Sequence, residues 1–410
     1  MNYVIIGNGS AAAGVVEGIR TIDKDLSNKI TVISSESHHI YSRPLISYLL
    51  LGKTDLERMK YRPDDFYAKN DCTLLAGKTV VKINTDSKTV LLDDGNKLEY
   101  DRLCVATGSR PFVPPFNGLD NVKNKFAFMT LDDALSIEKV VDKNSRVFIV
   151  GAGLIGLKCA EGLHKRVGSI TVADLSPLVL SSILEENTSI MVRKHLEGKG
   201  INFLLGDTVD VFEENAAVMK SGKRVEFDIL VLAVGVKPNT SLVAECGGNV
   251  NRGIATDKKM KTTVDDIYAA GDCTETFDIS LGQSRILALL PNAYMQGEVA
   301  GINMAEGNAD FENAVPMNAI SLMGIEIATA GSYLGHVVED SSDGIYRRFY
   351  TSDNLLKGYI IIGKPSKTGI YTYLIRNKVP LDTIDFDTLI KNPCLNALGE
   401  NHTKCLESVV

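Results

Sequence analysis

One glycine turn, used twice, restricts the fold of this chain more than any other feature. Tyr3–Gly14 reads YVIIGNGSAAAG. An apolar run predicts a strand, Gly7–Asn8–Gly9 a tight turn, and Ala11–Arg20 a helix entered after Ser10 with small side chains such as Ala12 facing the strand. The pattern returns 144 residues later. There RVFIV (146–150) leads into Gly151–Ala152–Gly153–Leu154–Ile155–Gly156, a full G-x-G-x-x-G opening a helix through Leu163. In each copy the first glycine permits the turn and the second admits a phosphate close to the backbone. Ala12 stands at the third glycine position of the first copy. Free N–H groups at the helix start then suit a pyrophosphate. One such turn is weak evidence, because ordinary loops contain the spacing by chance. Here each copy is also followed by a strand that ends in small residues: Ala106–Thr107–Gly108–Ser109–Arg110–Pro111 in the first half, and AVGVKPN (233–239), with Gly235, in the second. A duplicated dinucleotide-binding module explains both parts and their order.

The acidic residues after each second strand extend the argument. Lys29–Ser34 and Ser169–Ala173 read as strands; Glu36 lies 29 residues after Gly7, and Asp174 lies 23 after Gly151. A carboxylate in that place accepts the hydroxyls of an adenosine ribose, and at Asp174 it repels a 2′-phosphate, so NADH is expected to be preferred over NADPH. For Glu36 alone, a solvated loop residue is the plainer alternative. Between these motifs the chain predicts short strands at Thr79–Ile83, Thr89–Leu92 and Arg102–Ala106. Lys223–Ala233 reads as one hairpin-like strand, and Pro291–Glu306 as a helix.

Composition narrows the class. The formal net charge is -7, with no long basic block, which argues against nucleic acid as a partner. No apolar run reaches the roughly 18 residues of a membrane span, and MNYVIIG enters a strand directly, with no signal peptide expected. Seven scattered cysteines suit a reducing cytoplasm better than a disulfide framework. Cys394, His402 and Cys405 fit no usual metal spacing, so no metal is expected and the tail reads as carrying free thiols.

Three further stretches carry candidate site residues. In HHIYSRPLISYLLLGK (38–53), Arg43 is able to reach a phosphate or stack on a flat ring, and Pro44 fixes the chain beside it. His38 and His39 read as loop residues. In IYAAGDC (267–273), Gly271 and Asp272 follow a buried strand. Asp272 there either accepts hydrogen bonds from a polyol or caps a helix, and Cys273 reads as a buried structural thiol. From about residue 317 the texture changes. Gly324–Ala330 and Gly358–Gly363 read as strands, Thr368–Arg376 as a helix and Phe386–Ile390 as the start of another, enough for one small α+β domain.

Taken together, VIIGNGSAAAG, SRP at 42–44, ATGSRP, VGAGLIGLKCAEGL at 150–163, AVGVKPN and TTVDDIYAAGDC at 262–273 resemble the two-dinucleotide flavoprotein reductases of the pyridine nucleotide-disulfide oxidoreductase superfamily. The likeness covers essentially the whole chain. Within the superfamily it is most similar to NADH:rubredoxin oxidoreductases, to the flavoprotein domain of assimilatory nitrite reductases, and to flavin oxidoreductases associated with carbon monoxide dehydrogenase. The resemblance implies an α/β fold of two nested Rossmann-like domains plus a small C-terminal α+β domain. FAD would occupy 1–113 and 246–316, NADH would occupy 114–245, and 317–410 would form the third domain. Gly7, Gly9, Ala12, Glu36, Arg43, Pro44 and Asp272 match the FAD side; Gly151, Gly153, Gly156 and Asp174 match the NAD side. Lys53 falls where related ferredoxin reductases carry a lysine near flavin N5, which makes it, with Pro44, the expected catalytic pair.

Two departures qualify the resemblance. The glutamate usual after GLIGL is Lys158 here, with Glu161 one helical turn on; Lys158 then either faces the flavin beside Lys53 or points to solvent. The loop where disulfide reductases carry one or two cysteines contains none, since the nearest, Cys72, lies beyond it. The implied activity is hydride transfer from NADH to flavin N5 and then single-electron transfer to a rubredoxin-type or iron–sulfur protein, in either direction. Alternatives are an NADH oxidase that reduces oxygen, a scaffold or regulatory part of a larger redox complex, and a flavin-free mimic. With a shortened C-terminal domain, a monomer is expected over a homodimer.

Overall fold

The N-terminal apolar run becomes the centre of a parallel sheet. In the computed structural model, which describes residues 1–399, five strands lie in the order Ile267–Ala269, Arg102–Val105, Asn2–Ile6, Lys29–Ser34, Cys72–Ala76. All neighbours are parallel. Such strands are covered on both faces, which is why they read as continuous apolar runs rather than as alternation. Val4, Ile6, Leu103, Val105 and Ile267 join Val80 and Val90 in one core.

The second sheet repeats the plan. Its order is Ile201–Leu205, Ser169–Asp174, Arg146–Val150, Ile229–Leu232, Lys125–Phe126, again all parallel. In both sheets the strand before the glycine turn is central, and the strand ending in small residues is its neighbour. Each module also carries a three-stranded antiparallel sheet, Val80–Asn84 with Thr89–Leu92 and Lys97–Glu99, and Val209–Phe212 with Ala216–Met219 and Arg224–Glu226. The duplication therefore reaches beyond the motifs that first suggested it.

The expected single strand at Lys223–Ala233 is two. Arg224–Glu226 belongs to the antiparallel sheet and Ile229–Leu232 to the parallel one. The break falls at Asp228, whose carboxylate accepts the Arg146 backbone N–H at 2.8 Å and Arg146 Nε and Nη2 at 3.1 and 2.9 Å. Strands Cys72–Ala76 and Ile201–Leu205 and the helix Glu186–Glu197 are further elements beyond those expected from the sequence. The two strands lie at sheet edges, half-buried, with no clean alternation to mark them.

Helices Ser10–Ile22 and Leu290–Met304 pack at glycines. A Cβ on Gly14 would lie 2.3 Å from the Tyr294 carbonyl oxygen, and one on Gly301 2.2 Å from that of Val15. Gly18 and Gly297 are equally crowded, at 2.3 and 2.0 Å from carbonyl oxygens of the facing helix. Small residues on both helices thus fasten the later segment to the first module.

The chain divides into two compact units, Met1–Glu275 with Leu290–Phe311, and Thr276–Leu289 with the chain from Glu312 onward. The second unit contains a five-stranded antiparallel sheet in the order Met317–Leu322, Ile325–Gly331, Leu355–Gly363, Tyr346–Ser352, His336–Asp340. Helix Gly369–Arg376 covers it through Tyr371 and Leu374, packed with Phe349 and Ile361. Only two of these five strands were expected from the sequence. Among the described residues, no helix is long and apolar enough to cross a membrane, and no group of three or more His, Cys, Asp or Glu is placed to hold a metal. Cys394 is a free thiol; His402 and Cys405 lie outside the described residues.

Candidate functional site

The two glycine turns have nearly the same geometry. Gly7 has φ +117 and Gly151 φ +119, values that L side chains rarely adopt. Each backbone N–H bonds across to the next strand, Gly7 to the Ile33 carbonyl at 2.8 Å and Gly151 to that of Ala173 at 2.7 Å. A Cβ on Gly7 would strike the Ala106 carbonyl oxygen at 2.1 Å, and one on Gly151 that of Ala233 at 2.2 Å. The first glycine of each turn is therefore fixed by the protein's own backbone.

The second glycine differs in kind. Gly9 and Gly153 are the N-caps of Ser10–Ile22 and Leu154–Leu163, both extended, and neither helix has a side-chain cap. A Cβ added to either would meet nothing within 4 Å. Each helix thus starts beside open space with no side chain capping its first N–H groups, a cradle that suits an anion and that a side chain would fill. The third position separates the two copies. A Cβ on Gly156 would lie 2.0 Å from the Gly151 carbonyl oxygen, whereas the first turn takes the buried Ala12 at the same place.

The small-residue strand ends are brought together as an antiparallel ribbon. Ser109–Pro111 pairs with Val236–Pro238, Arg110 opposite Lys237. Thr107 Oγ1 donates to the Asn239 carbonyl at 2.9 Å, Asn239 Nδ2 donates to the Thr107 carbonyl at 2.9 Å, and Arg110 Nη1 donates to Asn239 Oδ1 at 2.8 Å. Gly108 and Gly235 take positive φ beside this ribbon, and a Cβ on either would meet nothing within 4 Å, so backbone conformation rather than crowding selects glycine there. Asn239 was not among the expected residues; its role emerges only once the two motifs pair.

The carboxylates after the second strands are held in different ways. Asp174 Oδ2 accepts the Ala152 N–H at 2.6 Å and its Oδ1 accepts the Ser176 N–H at 2.8 Å, so it is locked to its own glycine turn. Glu36 is held by side chains. The Tyr41 hydroxyl donates to Glu36 Oε2 at 2.6 Å, and Arg43 Nη2 pairs with Oε1. Arg43 Nη1 also donates to the Met129 carbonyl at 3.2 Å, and the Leu131 N–H donates to the Tyr41 hydroxyl at 2.9 Å. Arg43 thus pairs with Glu36, and Arg43, Pro44 and Lys53 are all exposed.

Asp272 lies in a turn before the Thr274–Asp278 strand and caps no helix. Gln296, which the sequence did not mark, builds that turn by accepting the Gly271 N–H at 2.6 Å and the Thr274 hydroxyl at 3.0 Å. Gly271 abuts Ala11 of the first helix, 3.0 Å between its added Cβ and that of Ala11. Burial raises the Asp272 carboxyl above its ordinary range, and the Arg43 charge draws it back down. Cys273 is fully buried, its thiol pushed up to about 11 by burial and bonded to the Val105 and Ala270 carbonyls, both at 3.4 Å.

Helix Ile46–Leu50 packs on helix Leu154–Leu163, where a Cβ on Gly162 would lie 3.0 Å from the Ser47 carbonyl oxygen. Lys158 pairs there with Glu161, the two side chains 16% and 3% exposed. Its ammonium lies 4.2 Å from the centre of the Tyr48 ring, and that of Lys53 lies 5.7 Å away. The alternative in which Lys158 points to solvent is therefore not what the fold adopts.

Comparison with known proteins agrees with this geometry. The family described as pyridine nucleotide-disulphide oxidoreductase matches residues 1–297. A nitrite reductase [NAD(P)H] of Bacillus subtilis (strain 168) is 32% identical over 375 residues, 89% of this chain and 46% of that protein. The chain thus spans about half the length of that relative. An NADH oxidase of Methanocaldococcus jannaschii is 34% identical over 344 residues, 81% of this chain and 76% of that protein. In fold, the chain is similar to a covalent putidaredoxin reductase–putidaredoxin complex, with a TM-score of 0.87, 23% identity, and coverage of 100% of this chain and 99% of that one.

Proposed function

The chain belongs to the pyridine nucleotide-disulphide oxidoreductase family, and from that premise we propose that it is an FAD-dependent NADH:acceptor oxidoreductase delivering electrons to a rubredoxin-type or iron–sulfur protein. Family membership implies FAD and NAD(H) as cofactors. The observation that carries the reading is the matched pair of uncapped helix starts at Gly9 and Gly153, each open where a side chain would sit. Bound in those cradles, FAD and NAD(H) supply hydride transfer from nicotinamide to flavin N5 and release of electrons to the acceptor.

The chain's own residues then bind and orient. In this reading 1–113 and 246–316 hold FAD, 114–245 holds NAD(H), and 317–410 is a separate domain. Gly7, Gly9, Ser10 and Ala12 cradle one pyrophosphate, and Gly151, Gly153, Leu154, Ile155 and Gly156 the other. Glu36 and Asp174 receive ribose hydroxyls. Asp272 and Gly271 receive the polyol chain, while Arg43, Pro44 and Lys53 border the flavin side, with Ala106, Thr107, Gly108, Arg110 and Gly235 lining the ribbon. No thiol is used: the 36–53 loop has no cysteine, and the raised, buried Cys273 is a poor thiolate.

Two other readings have specific support. Similarity to the Methanocaldococcus protein named NADH oxidase favours oxygen as acceptor. Coverage of half of a larger nitrite reductase favours a module within a redox complex. The test is to reduce the FAD-loaded protein anaerobically with NADH and mix it with oxygen or with rubredoxin. Reoxidation by rubredoxin faster than by oxygen is expected; oxygen at least as fast supports the oxidase, and no reduction by NADH supports the module with a scaffold role.

A further inference from the structure

The Lys158–Glu161 pair is a feature near the cradles that the proposed binding roles leave unused. Pairs three residues apart on an exposed helix face contribute little to stability. This pair is different, because Glu161 is 3% exposed and Lys158 16%. Removing two charges from water costs more than their attraction commonly returns, so an apolar pair would suit a purely structural seam as well or better. The seam itself is informative. One wall is the helix that begins at the Gly153 cradle; the other is the short helix that follows Arg43 and Pro44, and the Arg43 charge acts on the Asp272 carboxyl. Tyr48 comes from that second wall and meets the Lys158 ammonium at 4.2 Å, closing the cation between a carboxylate and a ring face.

We propose that Lys158, held by Glu161 and faced by Tyr48, is the positioning charge of the hydride crossing: a fixed cation that favours the reduced, more negative form of the flavin. The inference rests on the reading that the two cradles hold FAD and NAD(H). Lys158 forms and breaks no bond in it. Its contribution is a charge that the helix pair prevents from relaxing, which is where preorganised electrostatics act most strongly. Glu161 opposes that charge in part and holds it in place. Loss of the two partners therefore moves the flavin in opposite directions, which a merely structural pin would not do.

The experiment is a spectroelectrochemical titration of FAD-loaded protein, with flavin content checked first, alongside anaerobic reduction by NADH. Lys158→Met is expected to lower the flavin midpoint potential by about 30 mV for each tenfold change in the two-electron equilibrium, and to slow reduction by NADH roughly tenfold. Glu161→Gln is expected to raise the potential, and Lys158→Arg to restore the value of the unaltered protein. If Lys158→Met does not fold, the Glu161→Gln titration still decides the matter. Unaltered protein that holds FAD and is reduced by NADH, with every folded variant at the same potential, overturns this inference alone. Unaltered protein that is not reduced overturns the underlying reading instead.

Discussion

The Ala152 backbone N–H donates to Asp174 Oδ2 at 2.6 Å, so the residue proposed to read the ribose is built into the turn proposed to cradle the pyrophosphate. The two tasks are coupled through one hydrogen bond. Asp174→Ala removes an acceptor for the nucleotide and loosens the turn together. Each charged hydrogen bond contributes about 1.5–3 kcal/mol, so NADH affinity is expected to fall at least roughly tenfold. Affinity for NADPH should fall less, since the carboxylate opposing a 2′-phosphate is gone. Steady-state KM values for both nucleotides check this. Equal values for NADH and NADPH in the unaltered protein would contradict the role of Asp174.

The glycines of each turn separate by experiment into two kinds. Gly7→Ala and Gly151→Ala place a Cβ 2.1 or 2.2 Å from a backbone oxygen at a φ near +118, so these variants lose stability by about 2 kcal/mol or more. Gly9→Ala and Gly153→Ala meet no protein atom within 4 Å. They should melt like the unaltered protein when free of cofactor, yet hold FAD and NADH, respectively, more weakly. Thermal denaturation paired with cofactor titration distinguishes the two classes.

Asp272 makes a pH-dependent prediction. Burial raises its carboxyl above the ordinary 3.8. An acid raised in the folded state binds its proton more tightly there than in the unfolded chain. The folded state is therefore favoured below the ordinary value and loses that advantage as pH rises through the raised one. Asp272→Asn removes the loss, so the cofactor-free variant should melt higher than the unaltered protein at neutral pH, with the gap closing toward pH 3.8. FAD retention should fall at the same time. A melting gap that stays constant across this range would contradict the assignment.

The glycine contact between the first and last helices of the larger unit predicts a cost with no chemical component. Gly301→Ala sets a Cβ 2.2 Å from the Val15 carbonyl oxygen. Overpacking of this kind costs about 1–3 kcal/mol, measurable as a lowered Tm with no change in NADH preference.

What the sequence revealed follows from which physical signals are local. The glycine turns were legible because a positive φ and a close backbone approach both exclude side chains, and such exclusion leaves a mark at one position. Asp174 and Glu36 were legible because they follow strands at a set distance. The partners of these residues were not. Asn239 and Gln296 act across 132 and 25 residues, and no local pattern encodes a bond of that reach. Edge strands such as Cys72–Ala76, half-exposed and short, gave no alternation to read. Arg43 was legible from its residue type and the Ser42–Arg43–Pro44 motif, but its pairing with Glu36 is a tertiary fact that no local pattern carries. Lys158 was visible as a departure, but whether it faced solvent depended on the packing of Ile46–Leu50 against its helix, which is a tertiary fact.

In the proposed function, two backbone cradles bring FAD and NAD(H) to one reaction without a thiol between them. Its most direct measurement is the flavin absorbance of the purified, FAD-loaded protein on anaerobic mixing with NADH. Rapid bleaching by NADH, slower bleaching by NADPH, and no thiolate charge-transfer band are expected. A protein that retains no FAD, or one whose bound flavin keeps its colour under excess NADH, would contradict it.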